Sequence, residues 1–290
     1  MQRLVAPSMT IGPRTFAWGA RTYIMGVVNV SPDSFSGDGL ATVGDAVAQA
    51  ARFVDEGADI LDVGGQSTRP GAVKSEAGFD EIASDEEIRR TLPVIERLRA
   101  ELPDVPISID TYKPEVALAA LAAGAHMLND IWGFRRDPAI ARIAAEAGVP
   151  AVAMHNQRGR PATDVIAGIA EGLRESVRIA GLAGLPRAQL ILDPGFGFGW
   201  QPEQNIAMLR RLGELRELRL PLLVGPSRKS SIAAVLGDAS MEARVWGTAA
   251  TVALAIAAGA DIVRVHDVAA MKSVALVADA VVRGWQPEER

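Results

Sequence analysis

The 290-residue sequence contains no cysteine. Disulfides, thiolate metal sites and thiol nucleophiles are therefore excluded together. Histidine is scarce as well, with three in the chain. No G-x-S-x-G turn is present to raise a serine nucleophile, so there is little room for a catalytic triad. His155 and His266 have carboxylates nearby, but no pair has the close helical spacing of a structural zinc site. No apolar run is long enough to span a bilayer, and residues 1–19, MQRLVAPSMTIGPRTFAWG, hold no apolar core of signal-peptide length. Low-complexity segments and runs of like charge are also missing. A net charge of −5 argues against a broad nucleic-acid or anionic-membrane surface, although a local cluster of cations remains compatible with it. The expectation is a soluble, cytoplasmic globular protein.

What the chain does contain is a recurring pattern of helix, glycine, short aliphatic run and polar residue. It appears in EGADILDVGG (56–65), AAGAHMLNDI (122–131), EAGVPAVAMH (146–155) and AAGADIVRVHD (257–267). The glycine suits a helix C-terminus, where the left-handed conformation is needed. The aliphatic run reads as a strand buried on both faces. Eight strands follow, at 24–30, 60–63, 107–109, 127–128, 151–154, 190–192, 222–224 and 262–265. Each precedes a helical pattern, near 43–56, 84–102, 114–123, 138–147, 164–183, 203–218, 241–258 and 271–282. Ser84 with Glu87 has the spacing of a capping box, and Pro93 is placed to kink the second helix. Eight such units predict a (β/α)8 TIM barrel spanning residues 1–290 as one domain, with 1–20 a small N-terminal extension. A doubly wound open sheet shares this periodicity, which carries no information about closure.

In a barrel the chemistry sits at the C-terminal ends of the strands. The polar residues there are Asn29, Asp62, Asp110, Asn129, His155, Asp193, Ser227 with Arg228 and Lys229, and Arg264 with His266. Carboxylates and amides suit the edge of a heterocycle, and Arg69, Lys229 and Arg264 suit an anion bound close by. Residues 31–42 and 64–83 are long, glycine- and serine-rich connections of the kind that grip substrates. The stretch DVGGQSTRPG (62–71) stands out, since an apolar strand runs into hydroxyls, an amide and a guanidinium. GFGFG (195–199) is a partial match to a phosphate loop and reads better as a tight strand-to-helix turn.

Several stretches together carry a family likeness. They are MGVVNVSPDSFS (25–36), GADILDVGGQSTRPGA (57–72), ISIDTYKPEVA (107–117), LNDIWG (128–133), ILDPGFGFG (191–199), SRKSSI (227–232) and DIVRVHDV (261–268). On these the chain resembles the dihydropteroate synthase family from about Tyr23 to Val282. The resemblance implies a (β/α)8 barrel that condenses 6-hydroxymethyl-7,8-dihydropterin diphosphate with 4-aminobenzoate, giving 7,8-dihydropteroate and diphosphate in folate synthesis. It implies that Asp110, Asn129, Asp193 and Lys229 hydrogen-bond the pterin, that Met154 and Phe198 wall its pocket, and that Arg264 lies against the ring. Asn29, Arg264 and His266 would hold the diphosphate, with Mg2+ at Asn29. Phe35, Thr68, Arg69, Pro70, Lys229 and Ser230 would form the aminobenzoate site, and Asp33 would help order the first loop. Lys229, Arg264, His266, Asp33 and Arg69 are the expected catalytic set, in a homodimer acting on small molecules. Gln66 in place of glutamate, Trp200 in place of lysine, Ser31, SGDG (36–39) and Pro226 depart from the usual pattern. A pterin-binding methyltransferase shares barrel and pterin pocket, but STRP and SRKS argue for the aminobenzoate site.

Overall fold

The computed structural model describes residues 6–30, 42–67, 80–159, 164–237 and 240–285. A short hairpin comes first, β1 (Ser8–Ile11) paired antiparallel with β2 (Arg14–Ala17). Strands and helices then alternate: β3 (Tyr23–Asn29), α1 (Val43–Asp55), β4 (Ile60–Gly64), α2 (Ser84–Glu101), β5 (Ile107–Asp110), α3 (Pro114–Ala122), β6 (Met127–Asp130) and α4 (Ala139–Ala147). The second half comprises β7 (Ala151–Met154), α5 (Val165–Leu182), β8 (Leu190–Asp193), α6 (Pro202–Arg211), β9 (Leu223–Val224), α7 (Ser230–Leu236), α8 (Met241–Ala257), β10 (Ile262–Val265) and α9 (Val268–Arg283). All neighbours in the large sheet are parallel, in the order β8-β7-β6-β5-β4-β3-β10-β9. A parallel bridge between Leu192 and Leu222 joins its two edges. The sheet is thus a closed eight-stranded barrel, which settles the question that periodicity left open.

Each expected strand is present, shifted by at most one residue at an end except where β6 runs two residues further. The glycines of the recurring pattern, Gly57, Gly124, Gly148 and Gly259, all have positive φ, as a helix C-terminus requires. Three expectations need correction. Ser84 is the first residue of α2 rather than its cap; Ala83 occupies that position and makes no side-chain cap bond. Glu87 reaches instead to Lys113 Nζ at 2.7 Å, and Ser84 donates to Glu115, so tertiary partners take the groups a capping box would use. The helix expected over 203–218 changes at Leu212 into a 3-10 segment ending at Leu218. Helix α7, of seven residues, was not anticipated.

Strand alternation divides the barrel into layers. Ile24, Leu61, Val63, Leu128 and Val263 point outward and pack against the helices. Tyr23, Met25, Ile60, Met127, Val152, Ile191, Leu223 and Ile262 point inward and join Met9, Ile11, Phe16 and Trp18 of the hairpin in one apolar cluster. The N-terminal hairpin is therefore the floor of the barrel. Asp59 secures the chain that leads from the hairpin into β3, accepting from Arg21 at 2.9 and 2.5 Å and from the Ile24 amide at 2.9 Å. One period of two further along the same inward register, the apolar layer gives way to Asp62, Asn129, Met154, Asp193 and Arg264. That change from apolar floor to polar upper layer is what positions the site.

Candidate active site

At the C-terminal mouth of the barrel lies a cavity of about 270 Å³. Of the residues expected from sequence, Asn29, Asp110, Phe198, Lys229, Ser230, Arg264 and His266 line it. Asn129, Met154 and Asp193 are buried on the neighbouring strand ends and are not among its lining side chains. Met154 packs with Tyr112, Ile131, Trp132 and Phe198, so the two residues expected to wall the pocket belong to one apolar cluster, of which Phe198 lines the cavity. Asp33, Phe35, Thr68, Arg69 and Pro70 lie outside the described residues, as do Ser31 and SGDG (36–39).

The polar layer is a connected network. Asp62, fully buried, accepts at Oδ2 from Asn129 Nδ2 at 3.0 Å and from Arg264 Nε at 2.6 Å. Arg264 uses Nη2 to reach Asp110 Oδ2 at 2.7 Å, so one guanidinium bridges two carboxylates. Burial pushes the Asp110 carboxyl up to about 7, against the pull of Arg264. Burial likewise lifts Asp193 to about 6, although its Oδ1 accepts from the Gly195 amide at 2.7 Å.

Lys229 reaches the cavity along the glycine-rich turn. A Cβ on Gly197, whose φ is +81°, would stand 2.8 Å from Lys229 Cδ, so the stem needs glycine beneath it. Its ammonium sits 4.1 Å from the centre of the Phe198 ring, which also carries the Arg158 guanidinium at 5.1 Å. Burial, with Arg264 close by, brings Lys229 down to about 8. The preceding Arg228 has φ +56° and is held there by Asp267, which accepts from its Nε and Nη2 at 2.9 and 2.6 Å. His266 shares a 2.9 Å hydrogen bond between Nδ1 and Ser227 Oγ, which fixes its ring at the cavity edge.

Ser227 and Arg228, expected at a strand end, line the cavity as well, and so do residues beyond the sequence-based set, notably Ser67, Arg158 and Arg244. Arg158 follows β7 in a connection at the strand ends, the placement that could have marked it. Gln66 lines the cavity too, and its amide donates to Tyr112 Oη at 3.1 Å while accepting from Lys113 Nζ at 2.7 Å. A glutamate there would lack the donor. Trp200 is buried and stacks on His155, with ring centres 5.8 Å apart. His155 accordingly belongs to the packing behind the site and does not line the cavity. Residues 195–199 form the turn that leads into α6, with Gly195, Gly197 and Gly199 at positive φ. Pro226 accepts from the Lys229 amide at 3.3 Å in the turn that presents the lysine.

Buried acceptors at the strand ends stand beside Arg158, Lys229, Arg244 and Arg264 around one cavity, so the barrel combines hydrogen-bonding groups that suit a polar heterocycle with cations that suit an anion. The family described as pterin binding enzyme matches residues 25–266. The dihydropteroate synthase of Synechocystis sp. is 48% identical over 286 residues, 96% of either chain. Among solved structures, Xanthomonas albilineans dihydropteroate synthase with 4-aminobenzoic acid superposes with a TM-score of 0.86 at 43% identity, covering 96% of this chain and 98% of the other. The same enzyme in complex with 7,8-dihydropteroate gives 0.82 at 39% identity, with coverage of 95% and 98%. The chain belongs to the dihydropteroate synthase family.

Proposed function

We infer that this chain transfers the pterinylmethyl group of 6-hydroxymethyl-7,8-dihydropterin diphosphate to 4-aminobenzoate. The observation that carries this is the meeting of Asn29, Asp110, Lys229, Arg264 and His266 in one cavity, within a chain related to the synthases over nearly its whole length. In the reaction the arylamine nitrogen forms a bond to the methylene carbon, the carbon–oxygen bond to diphosphate breaks, and the amine releases a proton. The arylamine is neutral at pH 7 and needs no strong base. Asp110, Asn129 and Asp193 match the donors and acceptors of the pterin edge, and Lys229 supplies a further donor. Charge accumulates on the departing diphosphate, where Arg264 and His266 stand to stabilise it.

Mg2+ fits the diphosphate end. Asn29 offers one neutral oxygen, and Mg2+ usually takes few protein ligands, completing its shell with water and substrate phosphate oxygens. When bound it would neutralise charge on the leaving group. Metal would arrive with the diphosphate, so a strong chelator should abolish turnover. A diphosphate ester does not cross a bilayer unaided, and we place the reaction in the cytoplasm.

The protein is further read as a homodimer through α8 and α9. All but three of the large hydrophobic side chains exposed among the described residues, including Trp246, Leu254, Leu276, Val277, Val281 and Trp285, lie from α7 to the end of α9 and its tail. The concentration of exposed apolar side chains on these adjacent helices supports an interface there. Val277→Glu with Val281→Glu should give a monomer by light scattering. The function itself is tested by incubating the protein with dihydropterin diphosphate, Mg2+ and labelled aminobenzoate. Labelled dihydropteroate is expected, and its absence with both substrates bound would overturn the reading.

A further inference from the structure

Asp62 touches neither substrate in this reading and does not line the cavity, yet it is fully buried in the polar layer. Its Oδ2 takes both Asn129 Nδ2 and Arg264 Nε, while Oδ1 is buried with no hydrogen-bond partner among the described residues. A buried carboxylate is tolerable only when paired, and Arg264 supplies the pairing charge. That pairing has a geometric consequence for each partner. The Nε edge of Arg264 is committed to Asp62, so the guanidinium is directed with its far end toward Asp110 and the cavity. Asn129 presents an amide whose donor and acceptor ends have nearly the same shape. An ionised carboxylate only accepts, so the amide must turn its NH2 toward Asp62, leaving Oδ1 as the group that can accept from a ligand.

We propose that Asp62 is a positioning and specificity-determining residue: it sets the polarity that Asn129 shows to the pterin and the heading of Arg264 toward the diphosphate. The proposal rests on the synthase reading, in which Asn129 faces the ring and Arg264 the leaving group. One buried residue then adjusts recognition of two chemically different halves of the same substrate. Asp62→Asn keeps the shape, removes the charge and allows either end of its own amide to face Asn129, so Asn129 is free to turn over.

Calorimetry with two probes, a pterin lacking the diphosphate and inorganic pyrophosphate with Mg2+, separates the halves. Asp62→Asn should weaken each by roughly tenfold, the size expected when a buried polar contact is mismatched. Asn129→Ala should weaken the pterin alone, and Arg264→Gln chiefly the pyrophosphate. Because Asp62 acts on the pterin through Asn129, adding Asp62→Asn to Asn129→Ala should cause no further loss of pterin binding. A purely structural role predicts additive losses instead, which would overturn the proposal, as would wild-type affinity of Asp62→Asn for either probe. Should Asp62→Asn fail to fold by circular dichroism, Asp62→Leu with Arg264→Met replaces the pair by apolar groups. It should bind the pterin more weakly than Arg264→Met alone, and equal binding would refute the role. Failure of the unaltered protein to bind either probe would sink the synthase reading itself, a result distinct from any difference among variants.

Discussion

Replacing Lys229 by arginine tests whether a lysine held near neutrality governs the alkaline side of the reaction. Burial, with Arg264 nearby, brings this lysine down to about 8. A lysine required as a cation is therefore lost as the pH rises through about 8. At pH 9 about one-tenth of the empty enzyme would still carry the charge, and kcat/KM for the pterin diphosphate, which reports the free enzyme, should fall to about a tenth of its plateau. Arginine keeps its proton to beyond about pH 12. Lys229→Arg should have a lower plateau, because a planar fork replaces a compact ammonium over the Phe198 ring. Normalised to its own maximum, however, its profile should stay flat past about pH 9. The acid limb should be common to both proteins. Burial raises Asp193 to about 6 and Asp110 to about 7, so the carboxylates proposed to accept from the ring lose their charge as the pH falls through that range. Ionisation of the substrate affects both proteins equally and cancels in the comparison. The assay is the initial rate of dihydropteroate formation at sub-saturating pterin diphosphate, across about pH 5 to 10. Superimposable alkaline limbs for the two proteins would refute the assignment.

Three further substitutions probe the scaffold. Gly195→Ala would put a Cβ 1.8 Å from the His155 carbonyl oxygen at φ +76°, so we expect a loss of more than about 3 kcal/mol, read by chemical denaturation. A wild-type midpoint would show that the turn is slack. Trp200→Ala removes a buried ring stacked on His155 and should cost about 3–5 kcal/mol, with the loss in melting temperature outweighing any loss in kcat. Asp59→Ala should destabilise by about 1–3 kcal/mol by releasing Arg21 and the Ile24 amide at the barrel floor. The cavity is at the opposite mouth, so kcat per folded molecule should be unchanged, and a large fall in kcat would show that the floor is coupled to the site.

The barrel was legible because two signals repeat along the chain. Aliphatic runs of strand length and glycines at helix ends locate each strand–helix unit, and both depend on residues adjacent in sequence. Other elements carry no such signal. Helix α7 has only seven residues and lies between SRKS and the much longer α8, so its pattern is too short to register. The hairpin at Ser8–Ala17 alternates, but its apolar residues make sense only against the inward side chains of the barrel. The capping box at Ser84 and Glu87 failed for the opposite reason. Its local spacing is right, but Lys113, buried beside Glu87, is a stronger partner than a backbone amide.

For the site, the period of two was enough to identify which strand-end residues face inward, but their pairing could not be read from spacing. Asp62 and Arg264 are 202 residues apart, and Asp110 and Arg264 are 154 apart. Parity places all three on the inward face, while only closure of the barrel brings them into contact. Closure also changes what they mean chemically. Read from the sequence alone, Asp110 is a candidate acceptor for a ring and Arg264 a candidate cation for a phosphate. In the folded protein they already satisfy each other at 2.7 Å. Arg264 takes only Oδ2 of Asp110, which leaves Oδ1 to accept from a ring in the cavity, while an anion attached to that ring can share the same guanidinium. The pair therefore serves both halves of the proposed substrate at once: it holds in place the carboxylate offered to the ring and aims the cation offered to the anion.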